Sequence, residues 1–144
     1  MNQIAKVLYT AKTRTAGGRE NGRARSADGL LDITLAEPGS SRIGTNPEQL
    51  LAAGWSACFE SAIARAAHNR NLPLPADIRI DAEADLMLAD DGHFLRVRLK
   101  VGLGGVQPDI AQMLIREAHA ICPYSKAMRG NIDVAISLVP MQAA

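Results

Sequence analysis

A ten-residue stretch, LLAAGWSACF at residues 50–59, carries apolar or small side chains on every side of a helix. A helix that is apolar all round has to be buried all round. A chain of 144 residues forms one domain of ordinary size and has few other elements to cover both faces of this helix. We therefore expect an intertwined homodimer. The alternative is a monomer in which a sheet covers one face of the helix and a second helix covers the other.

The spacing of apolar residues predicts an α+β fold. A long helix is expected from Pro47 to about Asn69, since Thr45 or Asn46 can cap it and proline suits its first turn. A second helix is expected over 109–121. Strands are predicted over 5–13, within 22–35 as two strands around the Asp28-Gly29 turn, and over 78–88, 94–103 and 132–139. This order favours mostly antiparallel sheets wrapped around a long central helix, in one domain spanning residues 1–144.

Composition argues against two classes of partner. The chain has 16 Lys and Arg against 15 Asp and Glu, so its balanced charge suggests neither nucleic acid nor a membrane. The basic cluster Arg14, Arg19, Arg23 and Arg25 is typical of a solvated surface. We see no signal peptide, and the apolar stretch over 49–59 is shorter than the ~18 residues of a membrane span. A cytoplasmic location is expected.

The two cysteines, Cys58 and Cys122, have opposing interpretations. Cys58 lies in the apolar helix, where a free cysteine is most often a core filler and burial makes its thiol inert. It reacts only if a cation is brought to it from elsewhere in the chain. Cys122 ends the second helix, because Pro123 prevents that helix from continuing. It is a poor attacking group at a helix C-terminus but a suitable resolving group, unless CPYS is only a helix stop.

Two other kinds of site are weakly supported. His119 and Cys122 are spaced HxxC, and Cys58 is a conceivable third metal ligand, but the CxxC pairs typical of structural zinc are missing. A serine hydrolase is disfavoured because no GxSxG motif is present. We therefore expect no metal and no other cofactor.

Three stretches together resemble the organic hydroperoxide resistance proteins, the Ohr branch of the Ohr/OsmC family. They are TAGGRENGRARSADGLLDI, TNPEQLLAAGWSACFESAI and ICPYSKAMRGNIDV, in this order and at this spacing. The resemblance covers about residues 5–139, and CPYSKAMRGNID favours the Ohr branch over the OsmC branch. Trp55-Ser56 stands where the family more often has Tyr-Ala.

The resemblance implies roles for four residues. The family's peroxidatic cysteine falls on Cys58 and its resolving cysteine on Cys122. Its arginine in the GGR turn falls on Arg19, and its glutamate in NPEQ falls on Glu48. The implied activity is that of a thiol-dependent peroxidase without metal or haem.

The resemblance also implies partners. Family members prefer organic and fatty-acid hydroperoxides, are re-reduced by dihydrolipoamide of lipoylated enzymes, and form intertwined dimers with active sites at the subunit interface. They protect against organic peroxide stress.

On this interpretation Arg19 is the cation that Cys58 needs. A permanent charge beside the thiol favours the thiolate, and Glu48 would orient the guanidinium by a two-point hydrogen bond. Oxidised Cys58 would then form a disulfide with Cys122. Glu48 also fits a capping box with Thr45, and both roles can coexist.

The spacing of Glu48 and Cys58 raises a geometric question. Ten residues on one straight helix correspond to about 15 Å, too far for both to contact one arginine. Glu48 would have to lie off the helix, the helix would have to bend, or Glu48 would come from the other subunit. We expect the last.

Two alternatives to an enzyme remain open. A redox sensor would react once at Cys58 and change a partner interaction, whereas an enzyme turns over repeatedly with excess dithiol. A binding or structural dimer with inert cysteines would be unaffected by blocking both thiols.

Overall fold

The computed structural model describes residues 4–141, and over this range the chain has an α+β fold. The strands are β1 (Thr13–Ala16), β2 (Arg23–Ser26), β3 (Asp32–Thr34), β4 (Asp77–Ala89), β5 (Gly92–Gly104) and β6 (Asp133–Leu138). The helices are α1 (Gly18–Asn21), α2 (Pro47–Asn69), α3 (Pro108–Ile121) and α4 (Pro123–Met128). The strand pairs β1–β2, β2–β3 and β4–β5 are antiparallel, and β5–β6 is parallel. The predicted α+β class with mostly antiparallel sheets is confirmed.

The chain divides into two compact units, Met1–Pro47 and Glu48–Ala144. The first contains the sheet β1-β2-β3, and the second contains the sheet β4-β5-β6 together with α3, α4 and nearly all of α2. The single domain expected from the sequence stays a prediction.

The first unit is organised by the Asp28-Gly29 turn, as predicted. Asp28 Oδ1 accepts hydrogen bonds from the Ser26 hydroxyl at 2.6 Å and from the Leu30 amide at 3.0 Å. The Ser26 hydroxyl, more than the Leu30 amide, lowers the pKa of the Asp28 carboxyl. Across the hairpin Arg23 donates two hydrogen bonds of 2.9 Å to Asp32. These side-chain hydrogen bonds, together with the Asx turn at Asp28, therefore hold β2 against β3.

The strand predicted over residues 5–13 is wrong over most of its length. In the described part of the chain β1 starts only at Thr13, and residues 4–12 belong to no strand. A strand needs a neighbour for its backbone groups, and the ladder between β1 and β2 begins at Thr13. The apolar side chains before it are exposed: Ile4, Val7, Leu8 and Tyr9.

The second unit holds the core. Helix α2 has the predicted bounds, and β4 and β5 form a hairpin of 13 residues per strand. Core side chains of α2, β5 and α3 meet on one face of this sheet, among them Trp55, Phe59, Ile63, Val97, Leu99, Val101 and Leu114. Towards the turn of the hairpin the apolar side chains of β4 are more exposed, with Leu86 and Leu88 at 47% and 71%.

Helix α2 is buried on one side only within a single chain. Its fully buried residues include Trp55, Phe59 and Ile63. Leu50, Ala53 and Ala57 follow one another at spacings of three and four residues and are exposed. The monomer alternative, in which a sheet and a second helix cover both faces of this helix, is therefore wrong, and the expected homodimer stays a prediction.

The parallel pairing of β6 with β5 follows from the connection between them. Antiparallel strands can be joined by a tight turn, whereas parallel strands need a crossover. Helices α3 and α4 supply it, and β6 then pairs with β5 from Arg96↔Asp133 to Val101↔Leu138. Over residues 4–141, no helix is both long enough and apolar enough to pass through a membrane.

The face of β4–β5 that carries the odd-numbered residues of β4 is a ladder of ion pairs. Arg98 donates to both oxygens of Asp85 at 2.7 and 2.8 Å, and Arg96 donates to the same carboxylate at 2.9 Å. Lys100 and Arg98 lie 3.0 and 3.2 Å from Glu83. Arg98 first and Arg96 second hold the pKa of the Asp85 carboxyl well below its usual range. Asp85 thus accepts hydrogen bonds from two arginines of β5.

We expect Asp85→Asn to lower the free energy of unfolding at pH 7. The difference from the native chain should shrink as the pH falls below about 4. The folded-state pKa of Asp85 is depressed, so its contribution is present above the unfolded-state pKa and is lost in acid. Urea unfolding of the native chain and the variant at several pH values measures this difference in the free energy of unfolding. Asp81→Asn, which removes a charge from the same face of β4, is the control. An equal loss of unfolding free energy at pH 7 and in acid would contradict the proposed contribution of the ionised Asp85 carboxylate.

Candidate active site

Cys58 and Cys122 meet in the second unit although 64 residues separate them in sequence. Their Sγ atoms lie 3.5 Å apart, and both thiols are free. Cys58 is in the middle of α2, and Cys122 lies at the junction of α3 and α4. Disulfide formation from this arrangement requires closure to about 2.05 Å, a small movement of two side chains.

The junction at Cys122 has two functions in the backbone. The Cys122 amide donates to Ala118 O at 2.8 Å and ends α3, while its carbonyl accepts from the Lys126 amide at 2.9 Å and begins α4. Pro123 occupies the first position of α4, where its missing N–H costs nothing. The predicted stop of the second helix is confirmed, but α4 was missed. Proline at the first helical position was the signal that could have indicated it.

The two sulfurs differ in exposure. Cys122 is fully buried among the core residues, whereas Cys58 is partly exposed. A small molecule arriving from solvent therefore has access to Cys58 before Cys122.

Opposing influences act on the Cys58 thiol. Burial raises its pKa, and the neighbouring sulfur of Cys122 raises it further, while the backbone amide of Tyr124 donates a hydrogen bond that lowers it. The net direction is upward. The burial and the Cys122 contact therefore disfavour the thiolate, and the need of Cys58 for a cation from elsewhere in the chain stays a prediction.

Two further contacts join α2 to the CPYS segment. Trp55 Nε1 donates a hydrogen bond of 3.1 Å to Ser125 Oγ, and both side chains are fully buried. The Tyr124 ring lies so close to Gly54 that a Cβ there would be 2.6 Å from its hydroxyl oxygen. A glycine in the helix interior is unfavourable by itself, and this close approach accounts for it. Sequence reasoning missed both contacts.

Arg19 and Glu48 lie in different compact units. Gly17 and Gly18 adopt φ of +89° and +73°, which favours glycine, and they start the four-residue α1 that carries Arg19. Glu48 is in the first turn of α2, so it lies on the same continuous helix as Cys58. Of the three options for Glu48, a position off the helix is thereby excluded. Whether Arg19 and Glu48 reach Cys58, and from which subunit Glu48 does so, stay predictions.

His119 is a titratable group in the last turn of α3, three residues before Cys122. Its Nδ1 atom is buried and makes no hydrogen bond with the described residues. Burial first, and the Arg129 guanidinium second, lower the pKa of the imidazole. No three His, Cys, Asp or Glu side chains among residues 4–141 are grouped so that they could hold a metal ion.

Comparison with known proteins identifies the family. The family model for OsmC-like protein matches residues 38–137. The organic hydroperoxide resistance protein of Xanthomonas axonopodis pv. citri is 44% identical, over 92% of this chain and 96% of its own. OhrA of Bacillus subtilis is 38% identical, over 94% of this chain and 99% of its own.

A solved structure agrees with these relatives. The crystal structure of OhrB from Bacillus subtilis is 40% identical and covers 92% of this chain and 100% of its own, with a TM-score of 0.86. At this identity and coverage the likeness extends over most of the chain. The chain belongs to the OsmC-like family and, within it, to the organic hydroperoxide resistance proteins.

Proposed function

We propose that this protein is a Cys-based peroxidase that reduces organic hydroperoxides, including those of fatty acids, to alcohols and protects against organic peroxide stress. The observation that carries the proposal is the approach of Cys58 and Cys122 to 3.5 Å. Their unequal exposure supports the assignment of roles, with the accessible Cys58 as the peroxidatic residue and the buried Cys122 as the resolving one. The names of the relatives support the substrate class.

The first step is attack of the Cys58 thiolate on one peroxide oxygen. The O–O bond breaks, Cys58 becomes a sulfenic acid, and the other oxygen leaves as an alcohol after taking up a proton. Burial opposes the thiolate here. Arg19 is proposed to supply the compensating charge and Glu48 to orient its guanidinium.

The second step regenerates the site without a metal or another cofactor. The Cys122 thiol attacks the Cys58 sulfenic acid, a disulfide forms and water leaves. A dithiol then reduces the disulfide by exchange, and we propose dihydrolipoamide of lipoylated enzymes as its source. The cytoplasmic location expected from the sequence stays a prediction.

The preference for organic substrates is proposed to come from the surroundings of Cys58. The stretch LLAAGWSACF offers apolar contacts to the hydrocarbon part of a hydroperoxide. Hydrogen peroxide has no such part and gains little from these contacts.

We also propose that the working form is a homodimer. The exposed stripe of Leu50, Ala53 and Ala57 on α2 is one apolar surface that a single chain leaves uncovered. The exposed apolar side chains within residues 4–12 are another. A second copy would bury both, and it could supply Glu48 to the site of its partner.

Leu50→Glu is expected to weaken this dimer, because it places a charge on the exposed stripe of α2. A glutamate in the first turn suits the helix dipole, so α2 itself should not be destabilised. Sedimentation velocity over a dilution series measures the association. Leu74→Glu, which alters a leucine 63% exposed beyond the end of α2, is the control. A native chain that sediments as a monomer at all concentrations would contradict the proposal.

Repeated reduction of cumene hydroperoxide with excess dihydrolipoamide tests the activity. An enzyme should reduce many equivalents of peroxide per chain, whereas a redox sensor should stop after about one. Hydrogen peroxide in place of cumene hydroperoxide tests the substrate class. If neither peroxide is reduced, the proposal is contradicted and both cysteines are interpreted as inert core residues.

A further inference from the structure

We propose that the hydrogen bond between Trp55 and Ser125 is a positioning contact that holds Cys122 beside Cys58 and so favours the disulfide over further oxidation of Cys58. The inference rests on the proposed peroxidase function and concerns the fate of the site after the first oxidation.

The position of this bond links the two cysteine-bearing segments. Trp55 precedes Cys58 by three residues on α2, slightly less than one helical turn. Ser125 follows Cys122 by three residues, and the Lys126 amide closes that turn on Cys122 O at 2.9 Å. A displacement of Ser125 would therefore move Cys122 with it.

The bond is also selective for one arrangement. The indole N–H can only donate, and Ser125 Oγ accepts it at 3.1 Å in a fully buried environment. Separating the two segments would leave a buried donor and a buried acceptor unpaired, which is strongly unfavourable. Apolar contacts tolerate sliding, whereas a hydrogen bond requires a defined distance and angle.

Two reactions compete once Cys58 is a sulfenic acid. Condensation with the Cys122 thiol forms the S–S bond and releases water. Reaction of the sulfenic acid with a second hydroperoxide adds an oxygen to give a sulfinic acid and releases an alcohol. Only the first depends on the placement of Cys122, and a misplacement of about 1 Å can slow a reaction between positioned groups by roughly 10²-fold.

The test uses Trp55→Phe, Ser125→Ala and the double variant. Each is cycled with cumene hydroperoxide and excess dithiol, and mass spectrometry measures the Cys58 sulfinic acid formed per peroxide reduced. We expect roughly a tenfold rise in both single variants. The double variant leaves neither polar group unpaired and should regain stability, but we expect its sulfinic acid yield to stay high.

Unfolding midpoints separate positioning from a merely structural role. If the bond only stabilised the fold, the sulfinic acid yield would follow the midpoint, and the double variant would return towards the native yield. Ile63→Val, a fully buried change on the same helix, should lower the midpoint and leave the yield at the native value. A native chain that fails to turn over would overturn the proposed function. A native chain that turns over, with unchanged yields in both single variants, would overturn only this inference.

Discussion

Cys58→Ser is expected to lower the turnover of cumene hydroperoxide by on the order of 10³-fold or more, because the reaction loses its nucleophile. A serine hydroxyl keeps the shape of the side chain but is not ionised at neutral pH, so the fold should be unaffected. Steady-state assays with excess dithiol measure the loss, and near-UV circular dichroism checks the fold. Turnover at the native rate would exclude Cys58 as the peroxidatic residue.

Cys122→Ser is the matched variant and should behave differently. It removes the fully buried sulfur and keeps Cys58, so the first peroxide should still be reduced at close to the native rate. The sulfenic acid then has no thiol to condense with, and further peroxide should convert it to sulfinic acid. A single-turnover experiment followed by mass spectrometry distinguishes the two cysteines. Equal loss of the first step in both variants would contradict the assignment of roles.

Arg19→Gln is expected to slow the reaction of Cys58 with peroxide at pH 7 by roughly ten- to a hundredfold. Burial and the Cys122 sulfur raise the pKa of Cys58, and the proposed task of Arg19 is to bring it down. The reactive form is the thiolate, so its fraction rises with pH. Without the cation the pKa should be higher, and the whole pH profile should move to higher pH. The rate deficit should therefore shrink as the solution becomes alkaline.

Stopped-flow rates over a pH series measure this shift. Arg19→Lys keeps a positive charge but lacks the planar fork that Glu48 would hold, so a smaller shift is expected. Arg14→Gln removes the same charge from exposed strand β1 and should leave the profile unchanged. Identical profiles for the native chain and Arg19→Gln would remove Arg19 from the site.

The elements that local sequence governs were predicted closely. Helix α2 begins at Pro47 because proline suits a first turn, and it ends at Asn69 just before NLPLP. The turn at Asp28 forms because that carboxylate binds the Leu30 amide within its own loop. The strand predicted over residues 5–13 was wrong for residues 5–12, since their strand-like pattern needs a pairing partner that the described part of the single chain does not provide.

The site was predictable only in part. The assignment of Cys58 and Cys122 as a pair came from resemblance to a family, because neither cysteine alone favoured a reactive role over a core filler. The connection of Trp55 with Ser125 has no periodic or motif signal. It spans 70 residues and depends on how α2 packs against the start of α4.

By itself the sequence determined the bounds of the main helices and most strands, because capping, turn chemistry and apolar periodicity act between near neighbours. The family followed from the resemblance of three stretches of the sequence to known proteins. Only the tertiary structure decided that two sulfurs 64 residues apart lie 3.5 Å from each other, with Cys122 buried and Cys58 accessible. The physical reason is that the separation of the sulfurs is set by packing α2 and α3 on the same sheet. This packing depends on many weak contacts between residues far apart in the sequence, so no local sequence pattern predicts the distance between the two sulfurs.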